Sequence, residues 1–232
     1  MKKSLITLLI LLVTSSSAVA IPMLQLDIAD GKYNKDTETI MATSNVFTLY
    51  ALLNTSSLAP LTDTYYISAA LTPKTGLSLT HGASAGSFSF NGKAITATRD
   101  MYFGDPPFEK NLAFDANDLA KHDVYETYFR EFSFKFDPKT QVNAYNTQDK
   151  TATPGKLYEM AFNIDISNLV DAYGIHFDLY SESVKNGDID VNKFAPFSHD
   201  AEGIHKNPVP EPSTLILLGI GLAGVAFMRR RK

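Results

Sequence analysis

Between residues 21 and 206 apolar and polar side chains alternate in short runs bounded by turn residues. That is the period of half-buried strands, not the 3.6-residue period of helices. Met23-Leu24-Gln25-Leu26-Asp27-Ile28 is the first run, closed by a turn at Ala29-Asp30-Gly31-Lys32. Phe47 to Leu53 and Thr64 to Leu71 are more uniformly apolar, which predicts strands in the middle of a sheet, punctuated by Pro60 and Pro73. Ser87-Phe88-Ser89-Phe90 and Lys93-Ala94-Ile95-Thr96 flank Asn91-Gly92. Both of those turn residues tolerate positive φ, so the segment predicts a tight hairpin.

Residues 99–123, with Gly104, Pro106 and Pro107, read as a long loop with one helical turn. Tyr128 to Phe136 alternates cleanly, with Tyr128, Arg130, Phe132, Phe134 and Phe136 on one face, and Asp137-Pro138 ends it. In Leu157 to Ile166, Tyr158, Met160, Phe162, Ile164 and Ile166 fall in phase. Ile175 to Tyr180 is expected to pair with that run across residues 167–174. Asn186-Gly187 offers another tight turn, and residues 194–208 read as a polar tail. Roughly eight to ten strands, with no long amphipathic helix and no βαβ rhythm, predict an all-β fold: an antiparallel β-sandwich of jelly-roll or immunoglobulin-like type.

The two ends are of another kind. Residues 1–20 read as a secretory signal peptide, with Lys2 and Lys3 before an apolar stretch and a small-residue cleavage site marked by Ala18 and Ala20. This divides the chain into a signal peptide at 1–20, one β-sandwich domain at 21–206 and a C-terminal segment at 207–232. In that last segment Pro210, Glu211 and Pro212 precede an apolar run, Leu215 to Met228, that ends in Arg229, Arg230, Arg231 and Lys232. The run makes about 21 Å of helix at about 1.5 Å per residue, against a hydrocarbon core of about 30 Å. It spans only with help from its flanks, and the terminal cations stay cytoplasmic.

This order of Pro-Glu-Pro, short apolar helix and Arg cluster resembles a PEP-CTERM sorting signal. The resemblance implies processing near Pro210, Glu211 and Pro212 by an exosortase, an integral-membrane cysteine protease, with Arg229 to Lys232 as the stop-transfer block. It further implies a membrane-anchored intermediate and then the cell surface or exterior of a Gram-negative bacterium that makes exopolysaccharide. An ordinary tail anchor is the alternative reading of the same residues. The body resembles the choice-of-anchor N surface proteins on three stretches: Tyr145 to Asp149, Ile175 to Tyr180 and Ala195 to Asp200. That family implies no activity.

The chain has no cysteine, which removes disulfides, thiolate metal sites, a Cys nucleophile and a lipoprotein anchor. Of 21 Lys and Arg residues six lie in the targeting ends, leaving 15, while 24 of the 25 acidic residues lie between them, so the body carries −9. Such a charge argues against nucleic acid and anionic membranes as partners of the body, and is compatible with cations or neutral glycans.

Candidate chemistry is sparse. Gly82-Ala83-Ser84-Ala85-Gly86 matches Gly-x-Ser-x-Gly, yet a hairpin and not a helix follows, so a small-residue loop accounts for it better than a hydrolase elbow. Asp188, Asp190 and Asn192 place three oxygen side chains at alternate positions, a candidate calcium ligand set without the usual glycine and terminal glutamate. Asp27, Asp30 and Asp36 form a less specific version. His81, His122, His176, His199 and His205 lack zinc-helix spacing, and Glu126 with Glu131 is one of many acid pairs. The expected function is therefore a non-catalytic structural or interaction protein of the envelope or matrix, without a required cofactor. A calcium-dependent carbohydrate-binding module and an exported hydrolase are the alternatives.

Overall fold

A computed structural model describes residues 21–55, 59–72, 84–104, 127–181, 184–185, 188–189 and 195–206. Residues 1–20 and 207–232, where a signal peptide and a C-terminal sorting segment with an apolar helix are expected, lie outside these residues. Among the described residues the fold is all-β apart from 3-10 turns at Ala59–Thr62 and Phe197–His199.

The first sheet holds β1 (Leu24–Ile28), β4 (Val46–Leu53), β6 (Gly86–Phe90), β7 (Lys93–Thr96), β10 (Gln141–Tyr145) and β11 (Ala152–Leu169). Its order is β1-β4-β11-β6-β7, with β10 also on β11. Tyr158 pairs with both Leu53 of β4 and Gln141 of β10, whereas Ile164 pairs with both Phe47 of β4 and Phe90 of β6. Thus β4 lines one edge of the 18-residue β11, and β10 then β6 line the other. The register slips between Asn143 and Tyr145, which lets β11 continue through Pro154 and Gly155, the latter at φ 109°.

The second sheet runs β2 (Lys32–Asn34), β3 (Thr39–Met41), β15 (Asp200–Ile204), β12 (Gly174–Ser181), β5 (Tyr65–Thr72), β9 (Thr127–Phe134) and β8 (Tyr102–Gly104). A small antiparallel pair, β13 (Val184–Lys185) and β14 (Asp188–Ile189), flanks the expected Asn186-Gly187 turn, whose own residues lie outside the description. As expected, β4 and β5 are interior strands. The Asn91-Gly92 hairpin also forms, with φ of 48° and 76° at its two turn residues.

The inward faces of the two sheets form one core. Ile175, Phe177 and Leu179 of β12 and Tyr65, Ile67, Ala69 and Leu71 of β5 meet Leu24, Leu26 and Ile28 of β1, Leu49 of β4 and Ile164 and Ile166 of β11. Across the layers Phe47 meets Phe177 edge to face at 6.2 Å, and Phe90 stacks on Phe132 at 3.9 Å. Phe134 and Phe136 of the aromatic run pack on Tyr65, and Phe134 on Phe162.

Four expectations need correction. Not every pair is antiparallel, because β15 returns late in the chain and lies parallel to β3. Ile175 to Tyr180 does not pair with Leu157 to Ile166; β12 lies in the opposite sheet between β15 and β5. Alternation fixes which face a strand buries, not which layer it joins, and residues 170–173 turn the chain across, with Ala172 at φ 67°. Within the expected loop at 99–123, Tyr102–Gly104 forms β8 against β9, while residues 105–123 lie outside the description. The polar tail contains β15, whose inward positions are only Ala201 and Gly203. A Cβ on Gly203 would stand 2.8 Å from the Phe47 ring, so this strand cannot advertise itself with large apolar residues.

The outer face of the first sheet explains why Gln25 and Asp27 are buried although they point away from the core. Thr147 donates its amide and hydroxyl to Gln25 Oε1 at 3.3 and 3.4 Å. Tyr145 donates its hydroxyl to Asp27 Oδ2 at 2.6 Å, and Lys150 pairs with the same carboxylate.

Candidate functional site

On the outward face of the second sheet, polar residues from five strands form one row. Cross-strand pairing sets Glu131 of β9 beside Ser68 of β5, Ser68 beside Asp178 of β12, and Asp200 of β15 beside Thr39 of β3. The β12/β15 register, which pairs Phe177 with Ala201, continues to bring Asp178 next to Asp200. Directly paired side chains on one face stand about 5 Å apart at Cβ, within reach of short polar groups.

This row is buried. Ser68 and Asp200 are 0% exposed and Asp178 4%. Tyr180 donates its hydroxyl to Glu131, and its ring stacks on Tyr66 at 5.6 Å. Thr72 donates to Glu202 Oε1 at 2.9 Å in the neighbouring row, where Glu202 pairs with His176.

His176 completes the cluster from the same strand as Asp178, two residues away and therefore on the same face. Its Nε2 lies 3.4 Å from Asp178 Oδ1 and 3.7 Å from Asp200 Oδ2. Burial acts to lower the imidazole's pKa, but the carboxylates of Asp178 and Asp200 outweigh it and hold it well above its ordinary value. Burial raises the Asp200 carboxyl well above the usual range, and the charge of Asp178 adds to this against the pull of His176. Among the described residues, His176, Asp178 and Asp200 are the one group of three whose ligand atoms lie within 4.8 Å of one another.

A second feature lies at the β7, β8 and β9 end of the molecule. Lys93, Arg99, Asp100, Tyr102 and Arg130 line a cleft of about 480 Å³. The Arg130 guanidinium sits 5.5 Å from the centre of the Tyr102 ring and donates to the Asp100 carbonyl at 3.2 Å. The Asp100 carboxylate accepts the Thr96 amide at 2.8 Å, which holds its pKa below the usual range. Tyr102 and Phe103 are 51% and 47% exposed. Three cations and one carboxylate make this a local positive field on an acidic body.

The residues singled out in the sequence fare differently. Ser84 is exposed and closes a small loop with its own neighbour, hydrogen-bonding both the amide and carbonyl of Gly86 at 3.1 Å. Gly86 opens β6, a strand and not a helix, while Gly82 and Ala83 lie outside the described residues. Asp188 lies in β14, while Asp190, Asn192, Glu126, His81 and His122 lie outside the described residues, as do Ala18, Ala20, Pro210, Glu211, Pro212, Arg229, Arg230, Arg231 and Lys232. Asp27 is committed to Tyr145 and Lys150, and Asp30 and Asp36 sit in separate turns. His199 is buried with Nδ1 2.9 Å from Ser198 Oγ, and burial lowers its pKa to about 4. His205 Nδ1 lies 3.4 Å from Asp171.

Sequence reasoning missed the buried polar row. Its only local signal was His176-Phe177-Asp178, an alternation that puts two metal-capable groups on one face of a strand.

Compared with known proteins, the chain matches the PEP-CTERM protein-sorting motif over residues 208–232. No curated protein and no solved structure matches it. Among the described residues no helix is long and apolar enough to cross a membrane. The matched segment spans the Pro-Glu-Pro, the apolar run and the basic end, and it implies exosortase processing, anchoring in the membrane by the C-terminus and export.

Proposed function

We propose that this chain is a non-catalytic structural or interaction protein of the cell envelope or extracellular matrix, delivered to the surface of a Gram-negative bacterium. The observation that carries the reading is the sorting motif at residues 208–232 behind an all-β body. A signal peptide at residues 1–20, cut after Ala20, starts the route, and an exosortase acting near Pro210, Glu211 and Pro212 ends it. The body belongs to this proposal as a β-sandwich of jelly-roll or immunoglobulin-like type widened by additional strands, supported by a core shared between two sheets. Its likeness to choice-of-anchor N proteins rests on the sequence stretches alone. The test is expression of the intact chain beside a variant lacking residues 209–232 in a host with an active exosortase. The intact chain should fractionate with the surface or medium and the truncated one with the periplasm; identical distributions would contradict the proposal.

One observation favours a second reading, a carbohydrate-binding module that meets exopolysaccharide. The cleft at Lys93, Arg99, Tyr102 and Arg130 offers an exposed ring and three cations, a combination suited to acidic sugars. Titration with uronic-acid oligosaccharides should give saturable binding that Tyr102→Ala abolishes. Equal binding by that variant would remove the cleft from consideration.

A further inference from the structure

We propose that His176, Asp178 and Asp200 bind a first-row divalent cation of the zinc or manganese class, with the Ser68 hydroxyl as a further oxygen donor. Nothing in the export reading requires this site, and it stands independently of it.

The spacing is the first argument. A hydrogen-bonded imidazolium and carboxylate approach to about 2.8 Å. Here Nε2 stands 3.4 Å and 3.7 Å from the two carboxylate oxygens. Zinc ligands at about 2.0–2.2 Å from a tetrahedral ion lie about 3.3–3.6 Å from one another. The imidazole therefore stands from each carboxylate by about the edge of a coordination polyhedron, with all three ligand atoms inside 4.8 Å of one another. Small side-chain rotations close the remainder.

Ser68 is the second and independent argument. It is 0% exposed, and its Oγ has no hydrogen-bond partner. A buried hydroxyl left without a partner is costly, and native folds avoid it. Pairing sets it directly beside Asp178 on the same outward face, which places its hydroxyl next to the cluster. A cation held by the carboxylates gives that oxygen a partner.

The donor set decides the class. Calcium and magnesium take oxygen ligands only, whereas an imidazole beside carboxylates suits zinc, manganese and their neighbours. No thiolate is present to select a softer ion. The His176 side chain, 15% exposed beside nearly inaccessible aspartates, is the point of entry. An ion here would pin β15, the last strand before the sorting segment, to β12 and through Ser68 to β5. In a chain without cysteine it would serve as the staple that a disulfide provides in other exported folds.

The full chain, untagged and purified in detergent, is stripped with chelator and titrated with zinc, manganese or calcium salts by calorimetry, with metal content measured by mass spectrometry. The expected result is one equivalent of zinc or manganese, a raised melting temperature and at least about tenfold weaker binding in His176→Gln and Asp178→Asn. Ser68→Ala should bind more weakly while folding normally. X-ray absorption on zinc-loaded wild type keeps the test decisive even where a variant misfolds, and one imidazole with oxygen neighbours is expected. Folded wild type that takes up no metal, prefers calcium, shows an all-oxygen shell or binds as tightly as His176→Gln would overturn the proposal.

Discussion

Alanine at Gly86 and alanine at Gly92 should differ by a large and calculable amount, although both glycines have positive φ. Gly92 has φ of +76° and no heavy atom within 4 Å of an added Cβ, so alanine there bears left-handed strain alone, about 1–2 kcal/mol. Gly86 has φ of +89°, and its Cβ would stand 2.2 Å from the Asn168 carbonyl oxygen and 2.8 Å from the Leu169 Cα. Both obstructing atoms are backbone and cannot rotate aside. The start of β6 must then leave β11, where Leu169 pairs with Gly86 and Asn168 with Ser87. The bonds from the Val170 amide to Ala85 and from the Ala97 amide to Gly86 go with it. Two such bonds at about 1 kcal/mol each, added to the strain, give about 3–4 kcal/mol. That is a large share of the roughly 5–15 kcal/mol that holds a domain folded. With a urea slope of about 2 kcal/mol/M, the midpoint should fall by about 0.5–1 M for Gly92→Ala and about 1.5–2 M for Gly86→Ala. Equal shifts, or a larger one at Gly92, would refute the close β6/β11 approach. Ser84→Ala, at an exposed position of the same motif, should move stability by no more than about 0.5 kcal/mol.

Three further outcomes follow from the packing and the titrating groups. Phe177→Ala empties a fully buried site against Phe47 and should cost about 3–5 kcal/mol in urea unfolding, whereas Val46→Ala, 61% exposed, should cost under about 0.5 kcal/mol. Tyr145→Phe removes one donor to the buried Asp27 carboxylate and should cost about 1.5–3 kcal/mol; an unchanged midpoint would mean that Lys150 and the Ile28 amide satisfy Asp27 without it. His199 falls from 6.5 unfolded to about 4 folded, so below pH 6.5 the unfolded chain binds the extra proton and stability declines down to about pH 4. The full effect is about 3 kcal/mol, read as the difference between wild type and His199→Gln across that window, because the raised pKa values of His176 and Asp200 act in the opposite direction.

What was legible in the sequence was whatever a local stretch decides alone. Asn91-Gly92 specifies its hairpin because the turn's φ values are set within two residues, and the uniform apolarity of Phe47 to Leu53 announces an interior strand because both its faces and edges are covered. The pairing of β12 was not legible, since Ile175 and Phe177 bury the same face whichever layer they join. β15 was hidden because Phe47 fills the space over Gly203, leaving no large residue to mark the strand. The buried row was hidden for another reason. Glu131, Ser68, Asp178 and Asp200 each look like an outward polar residue on its own strand, and only register across four strands gathers them. The sorting segment needs no folding to be read, because its meaning lies in the order of Pro210 to Pro212, the apolar run and the basic end.

The most direct test of the central claim is the intact mass of the protein recovered from the surface or medium of exosortase-bearing cells. The account predicts a mature chain that has lost the apolar run and Arg229 to Lys232, with a new C-terminus near Pro210 to Pro212. A surface protein that still carries Lys232 at its end would contradict it.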